Sequence, residues 1–256
     1  MKLTVVIPVY NERSTIPSVL LAVTATLPEV EKEIIVVDDG SGDGTREWLR
    51  QNLAAANGRY ARAALDGDDL RLRQVDGANE AGASFRVIEH AHNIGKGGAL
   101  RSGLAVATGD VVVFQDADLE YDPRDWERML PLITERRVAD VVYGSRFYGQ
   151  PHRSLFFHHY LGNRLISLLF NLIYDQTLTD IEVCYKMFRR EILDGVVLTS
   201  NDFGIEVEIS AAIARARRWR IYEIGISYFG RTYEEGKKIN WRDGVKALWY
   251  LLRFRL

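Results

Sequence analysis

The chain is short of the features that would place it in several large protein classes. It has one cysteine, Cys184, so it can form neither an internal disulfide nor a cysteine-based zinc cluster, and nothing points to an oxidising compartment. No stretch approaches the roughly 20 apolar residues that cross a bilayer. The opening apolar run, Leu3 to Val9, meets Asn11-Glu12-Arg13 and is too short for a signal peptide. Neither sign of charge dominates: 33 basic and 35 acidic side chains leave a formal charge of −2, which gives no basis for bulk binding of nucleic acid. Internal repeats and low-complexity tracts are missing as well. The expectation is a cytoplasmic globular protein, with peripheral contact at the cytoplasmic membrane face left open.

An alternation of strand and helix patterns fills the first 143 residues. Leu3-Thr4-Val5-Val6-Ile7-Pro8-Val9 is apolar and rich in β-branched residues, as a strand buried on both faces is. The pattern returns at Glu33 to Asp38, Phe85 to Glu89, Asp110 to Phe114 and Asp140 to Tyr143. Helical stretches fall between them, at Ser14 to Thr26, Thr45 to Leu53, Gly97 to Ala107 and Pro123 to Arg137. Such alternation predicts an α/β fold, doubly wound on a mainly parallel sheet. Residues Ala54 to Ser84 interrupt it with Ala, Gly, Asp and Asn, and predict a surface insertion with some helical content.

The texture changes after Tyr143. A linker-like stretch, Gly144 to Ser154, leads into the apolar and aromatic segment Leu155 to Tyr174. Between Arg146 and Tyr174 there are three arginines and no acidic residue. A strand at Cys184 to Phe188, a helix at Gly204 to Arg217, a strand at Ile221 to Tyr228 and an aromatic helix from Trp241 to Leu256 complete the pattern. From Arg231 onward there are seven basic and three acidic residues.

Ligands of doubly wound sheets bind beyond the carboxyl ends of the strands. Here those ends are Tyr10-Asn11-Glu12, Asp38-Asp39-Gly40-Ser41 and Gln115-Asp116-Ala117-Asp118. Crowded carboxylates repel, so such a cluster needs a cation or hydrogen-bond donors to hold it. Asp116 and Asp118, one small residue apart after a buried strand, suit Mg²⁺ or Mn²⁺, which leave positions open for phosphate oxygens. A solvated turn is the plainer alternative. Asn93-Ile94-Gly95-Lys96-Gly97-Gly98-Ala99 begins a helix, where backbone amides favour anions; tight helix packing explains the glycines equally well. The loop is not a Gly-x-x-x-x-Gly-Lys-Ser/Thr phosphate loop, and Leu100 stands where Gly-x-Gly-x-x-Gly needs its last glycine. The first strand opens into no Gly-rich turn either, which excludes NAD and FAD. A nucleoside diphosphate remains the ligand that these features suit. His90, His92, His152, His158 and His159 lack metal-ligand spacing, and Cys184 reads as an inert buried thiol.

Four of these segments carry a resemblance. Val6-Ile7-Pro8-Val9-Tyr10-Asn11-Glu12, Val36-Val37-Asp38-Asp39-Gly40-Ser41, Asn93-Ile94-Gly95-Lys96-Gly97 and Asp116-Ala117-Asp118 are similar to the successive motifs of family 2 glycosyltransferases, inverting enzymes of the GT-A, nucleotide-diphospho-sugar transferase fold. The second half resembles dolichyl- and polyprenyl-phosphate hexose synthases through Gly144-Ser145-Arg146, through Asp180 before Tyr185-Lys186-Met187-Phe188-Arg189, and through the Arg231 to Lys238 loop. The chain departs from that group in lacking C-terminal membrane spans and in carrying the 54–84 insertion.

The resemblance implies a division into a GT-A domain over residues 1–230 and a basic loop with a C-terminal amphipathic helix over 231–256. The domain splits into a nucleotide-sugar half, 1–146, and an acceptor half, 147–230. Pro8, Tyr10, Glu12 and Asp39, with Lys96, Asp116 and Ala117, would hold the nucleotide of a UDP- or GDP-hexose. Asp116 and Asp118, with Glu120 nearby, would hold Mn²⁺ or Mg²⁺. Arg146, Arg231, Lys237 and Lys238 would face phosphates. A polyprenyl phosphate acceptor is already an anion and needs no strong base; a hydroxyl acceptor needs one, and Asp180 and Glu206 are the candidates, although Asp180 could equally organise the acceptor-side loop. Arg153 and Arg164 would meet the acceptor phosphate, with Leu155 to Tyr174 and the C-terminal helix as a membrane-facing lip.

Overall fold

The computed structural model describes residues 1–53, 56, 58–75, 81–149, 151–154, 156–232, 234–236 and 241–255; at 62 and 241–243 only the backbone is described. The strands are β1 (Lys2–Val9), β2 (Glu31–Asp38), β3 (Tyr60–Asp66), β4 (Asp69–Gln74), β5 (Ala83–Glu89), β6 (Val111–Phe114), β7 (Val141–Ser145), β8 (Lys186–Arg189) and β9 (Ile221–Gly225). They form one sheet in the order β4-β3-β5-β2-β1-β6-β8-β7-β9. Through its centre β5, β2, β1 and β6 run parallel, as the alternating pattern predicts. β8 then inserts antiparallel between β6 and β7, and β7 pairs parallel with β9. The helices are α1 (Ile16–Ala25), α2 (Thr45–Leu53), α3 (Lys96–Leu104), α4 (Trp126–Thr134), α5 (Phe157–Tyr174), α6 (Gly204–Arg215) and α7 (Trp241–Arg253).

Residues 60–74 correct one expectation. Instead of helix they form the antiparallel hairpin β3-β4, which extends the sheet beyond β5. Asp66 pairs with Asp69 across Gly67-Asp68, and Gly67 takes a φ of +62°. Tight hairpins use a residue of that left-handed conformation, and Gly supplies it at no steric cost.

The central strands are buried on both faces, which is why they read as unbroken apolar runs. Alternation within β2 makes this concrete: Ile34 and Val36 join the large core, while Ile35 and Val37 pack with Ala99 of α3 on the opposite face. Register then fixes the site. Val9 lies beside Asp38 and Val6 beside Phe114, so three strands end side by side and release their acidic turns onto one edge. Among the described residues no helix is long and apolar enough to cross a membrane.

The glycine loop before α3 is held by close approach to a neighbouring loop. Gly98 N donates to Asn201 O at 3.1 Å, and Gly95 has a φ of +99°. A Cβ on Gly97 would stand 2.4 Å from Ser200 O and 2.7 Å from Asp202 O. Backbone atoms cannot retreat as a flexible side chain can. Gly97→Ala should therefore cost about 1–3 kcal/mol as overpacking and lower Tm by several degrees. Gly42→Ala, with open space around its Cβ, should leave Tm unchanged. Thermal unfolding of both variants checks this.

Candidate active site

The strand ends open into one cavity of about 780 Å³. Pro8, Tyr10, Glu12, Asp39, Lys96, Asp116, Ala117, Asp118, Glu120, Arg146, Arg153, Glu206 and Arg231 all line it, so the fold gathers most of the sequence-predicted residues. Asp38, its neighbour in sequence, turns the other way: it is fully buried and takes Arg46 Nε at 2.7 Å. Asp39 faces the cavity and ties down the loop beside it. Its carboxylate accepts from Ile94 N at 3.0 Å and Gly95 N at 2.8 Å, and His90 Nδ1 lies 2.7 Å from Oδ1. His90 Nε2 continues to Ser102 Oγ at 2.9 Å. The sequence offered no signal for His90, which positions Asp39 through these contacts.

The acidic end of the cavity is organised around a guanidinium. Arg231 Nη2 reaches Glu12 at 3.1 Å and Asp118 at 3.0 Å, and its backbone N–H donates to Glu120 at 2.7 Å. Tyr228 donates its hydroxyl to the other oxygen of Glu120 at 3.0 Å. Burial, followed by the charges of Asp116 and Glu120, raises the Asp118 carboxyl to about 7 even though Arg231 pulls the other way. Among the described residues no three acidic, His or Cys side chains already converge as a metal centre. Lys237 and Lys238 lie outside the described residues.

Further along the wall, charges alternate. Lys96 Nζ sits 2.8 Å from Asp116 and 3.3 Å from Glu206 Oε1. Burial opposes the charge of Lys96, but Asp116 and Glu206 help to hold its pKa well above the ordinary lysine value. The fully buried Lys186 bonds the other oxygen of Glu206. Asp180 is also fully buried and grips Arg146 in two parallel bonds, from Nε and Nη2, each 2.6 Å. Both carboxylates named as candidate bases are thus committed to cations, and Asp180 does not reach the cavity wall. One carboxyl that sequence reasoning passed over does reach it: Glu182, the charged residue in the otherwise apolar run Ile181 to Tyr185.

Another part of the lining is aromatic and basic. Phe147, Phe156, Phe157 and Tyr160 form it with Arg153, whose guanidinium reaches Glu235 at 2.6 Å and Gly230 O at 3.1 Å. Arg164, on α5, is not among the lining residues.

The Arg146–Asp180 pair yields a clean test. Asp180→Ala leaves a buried guanidinium unpaired and should cost about 3–5 kcal/mol. Arg146→Met combined with Asp180→Leu removes both charges and should cost far less than the sum of the single changes. Denaturant unfolding of the four proteins measures the coupling; additive losses would contradict it.

Comparison with known proteins agrees with this geometry. Residues 4–62 and 66–197 match Glycosyl transferase family 2. An undecaprenyl-phosphate mannosyltransferase of Micrococcus luteus is 28% identical over all of this chain and 99% of its own length. An undecaprenyl-phosphate 4-deoxy-4-formamido-L-arabinose transferase of Aeromonas hydrophila is 26% identical over 91% of this chain, which spans 61% of that longer protein. Among solved structures, glucosyl-3-phosphoglycerate synthase of Mycobacterium tuberculosis, in complex with Mn²⁺, uridine diphosphate and phosphoglyceric acid, superimposes with a TM-score of 0.66. It covers 99% of this chain and 78% of its own at 20% identity, a likeness of fold, and that fold is GT-A. The family match over most of the chain, on this sheet and with these strand-end motifs in order, means that the protein belongs to glycosyltransferase family 2 and is an enzyme that transfers a sugar.

Proposed function

We propose that this enzyme moves a hexose from a UDP- or GDP-hexose to a polyprenyl phosphate, with inversion at the sugar carbon and with Mg²⁺ or Mn²⁺ bound. The observation that carries this is the continuity of the cavity. The acidic strand-end residues, Lys96 and Arg146, and the aromatic and basic group Phe147, Phe156, Phe157, Tyr160 and Arg153 all line that one space, with Phe157 and Tyr160 belonging to the exposed apolar helix α5. The names of the Micrococcus and Aeromonas relatives support the lipid phosphate.

Pro8, Tyr10 and Asp39 would bind the nucleoside, with Glu12, Lys96 and Ala117 alongside. Asp116, Asp118 and Glu120 are hard oxygen donors lining one cavity, and burial together with the charges of Asp116 and Glu120 raises the Asp118 carboxyl. The cluster therefore fits a divalent ion, with Asp116 and Asp118 as ligands and Glu120 beside them. When bound there, the ion would offset the charge that develops on the departing diphosphate. Arg231 would meet the same phosphates, joined by Lys237 and Lys238. Arg146 and Arg153 would receive the acceptor phosphate, with Asp180 fixing the Arg146 fork. Arg146 is further held between the rings of Tyr228, at 5.5 Å, and Phe147, at 5.9 Å. An acceptor phosphate oxygen is already anionic and attacks without losing a proton, so the commitment of Asp180 and Glu206 to cations is no obstacle. A hydroxyl acceptor is the second reading, and Glu182 is the carboxyl that would have to take its proton.

The long lipid tail would stay in a membrane while its phosphate enters the cavity. Phe157, Leu161, Leu165, Leu168 and Leu172 form one exposed stripe along α5, spaced three and four residues apart. Val245, Trp249 and Leu252 do the same on α7, which packs against α5. Burying such side chains is worth about 1.5–3 kcal/mol each before ordering costs, enough for reversible attachment at a membrane face.

Asp118→Asn should retain the wild-type Tm yet lower hexose transfer by on the order of 100-fold or more, because charge stabilisation at the leaving group is lost. Normal turnover by that variant in saturating Mn²⁺ would remove the metal assignment. In a separate measurement, the protein should float with anionic liposomes. A variant carrying Leu161→Glu, Leu168→Glu and Leu172→Glu should remain in the dense fraction while melting normally. Equal flotation of the two proteins, or faster transfer to a water-soluble alcohol than to polyprenyl phosphate, would favour the hydroxyl reading.

A further inference from the structure

Between the acidic edge and the basic mouth, the ionic groups pair off and leave one over. Asp116 has Lys96, Glu206 has Lys186 with Lys96 close by, and Asp180 has Arg146. Glu182 lines the cavity with no hydrogen bond to its carboxyl among the described residues. Its chain neighbours Ile181 and Val183 are fully buried, so the backbone is anchored and the carboxyl is kept at the wall. Partly exposed at the cavity wall, that carboxyl keeps acceptor positions open to a ligand that brings hydrogen-bond donors.

We propose that Glu182 is a specificity-determining residue whose carboxyl receives hydroxyl groups of the hexose being transferred. This rests on the donor reading above and extends it. The chemistry of the reactants narrows the choice. Phosphate oxygens are anions that a carboxylate repels, and arginines stand ready for them at both ends. A polyprenyl tail has no donors. The nucleoside belongs at the Pro8, Tyr10 and Asp39 end. The hexose is the part that carries many neutral O–H donors. It must also lie near both the leaving diphosphate and the attacking phosphate, and Glu182 lines the same cavity as Asp116 and Arg146.

Four charged groups act on this carboxyl: Arg146, Asp180, Lys186 and Glu206. Burial raises it to about 7; Arg146 and Lys186 draw it down, while Asp180 and Glu206 push it up. Its acceptor capacity is full when ionised and reduced when protonated. The contribution of the hexose to binding should therefore grow as pH rises through about 7.

Calorimetric titration of wild type, Glu182→Gln and Glu182→Ala with UDP, GDP, UDP-glucose and GDP-mannose, in Mg²⁺ at pH 6 and pH 8, tests the assignment. Folding of each variant is checked by its Tm. The expected result is free-nucleotide affinity within about twofold of wild type in both variants. Nucleotide-sugar affinity should be at least about tenfold weaker in Glu182→Ala, because a polar site built for a hydroxyl discriminates strongly. The change with pH in the hexose contribution should disappear in Glu182→Gln. Wild-type nucleotide-sugar affinity in Glu182→Ala overturns the inference alone, and overturns it in favour of a base if turnover collapses as well. Failure of wild type to bind any of the four ligands would instead remove the donor reading, and this assignment with it.

Discussion

Carboxylates that end three neighbouring strands cannot share one sheet edge unless cations are threaded among them, and much of this structure follows from where those cations come from. Glu12 leaves β1, Asp116 and Asp118 leave β6, and Glu120 follows two residues later. Their counter-charges arrive from distant parts of the chain. Arg231, beyond β9, bonds Glu12, Asp118 and Glu120 and so ties the last strand's exit to the first. Lys96, at the start of α3, spans Asp116 and Glu206. In a half-buried site, such pairs offset a large desolvation cost and are hard to lose one partner at a time. They hold the cavity in shape more than they add net stability.

That arrangement also sets what the cavity can accept. Among the described residues Arg231 and Lys96 are already matched to carboxylates of the chain, so the diphosphate of the proposed donor would compete with those carboxylates for them. It can do so most readily if it brings positive charge of its own. On the proposed reading a divalent ion would meet the need, with Asp116 and Asp118 as the residues that would hold it and its charge offsetting that of the phosphates. Burial first, then the charges of Asp116 and Glu120, raise the Asp118 carboxyl against the pull of Arg231, as crowding of negative groups at a poorly solvated edge should. Metal, diphosphate and arginine are thus linked by charge balance alone.

Much of this was legible in the sequence because it rested on local pattern. β1, β2 and β6 are buried on both faces, so they appear as apolar runs, and the polar residues that stop them appear as a site. The hairpin of residues 60–74 was not legible by composition: its strands carry Arg and Asp on an exposed sheet edge, and the Asp66-Gly67 turn signal was outweighed by the surrounding Ala and Gly. Pairings across long separations were equally hidden. Asp180 looked like a base because nothing in its neighbourhood of sequence announces Arg146, thirty-four positions away, as its partner. Glu182 was passed over for the converse reason: it stands in an apolar run with no motif around it, and only the pairing of every charge nearby leaves it conspicuous. His90 gave no sign because its role is to orient another residue.

The nature of the acceptor turns on the same accounting of charge. A hydroxyl nucleophile requires a proton acceptor beside it, and two of the carboxylates near the basic mouth are neutralised by Arg146 and Lys186. Arg146, which lines the cavity with Arg153, does nothing for an alcohol but would favour an anion that arrives with its proton already gone. The mouth then opens toward α5 and α7, whose outward residues are Leu, Phe, Val and Trp at helical spacing. Water-soluble acceptors gain nothing from such a surface, and exposing it is unfavourable for a protein that has no use for it. An anionic head joined to a long apolar chain would make use of both features at once, and that is the physical ground for the lipid-phosphate acceptor proposed above.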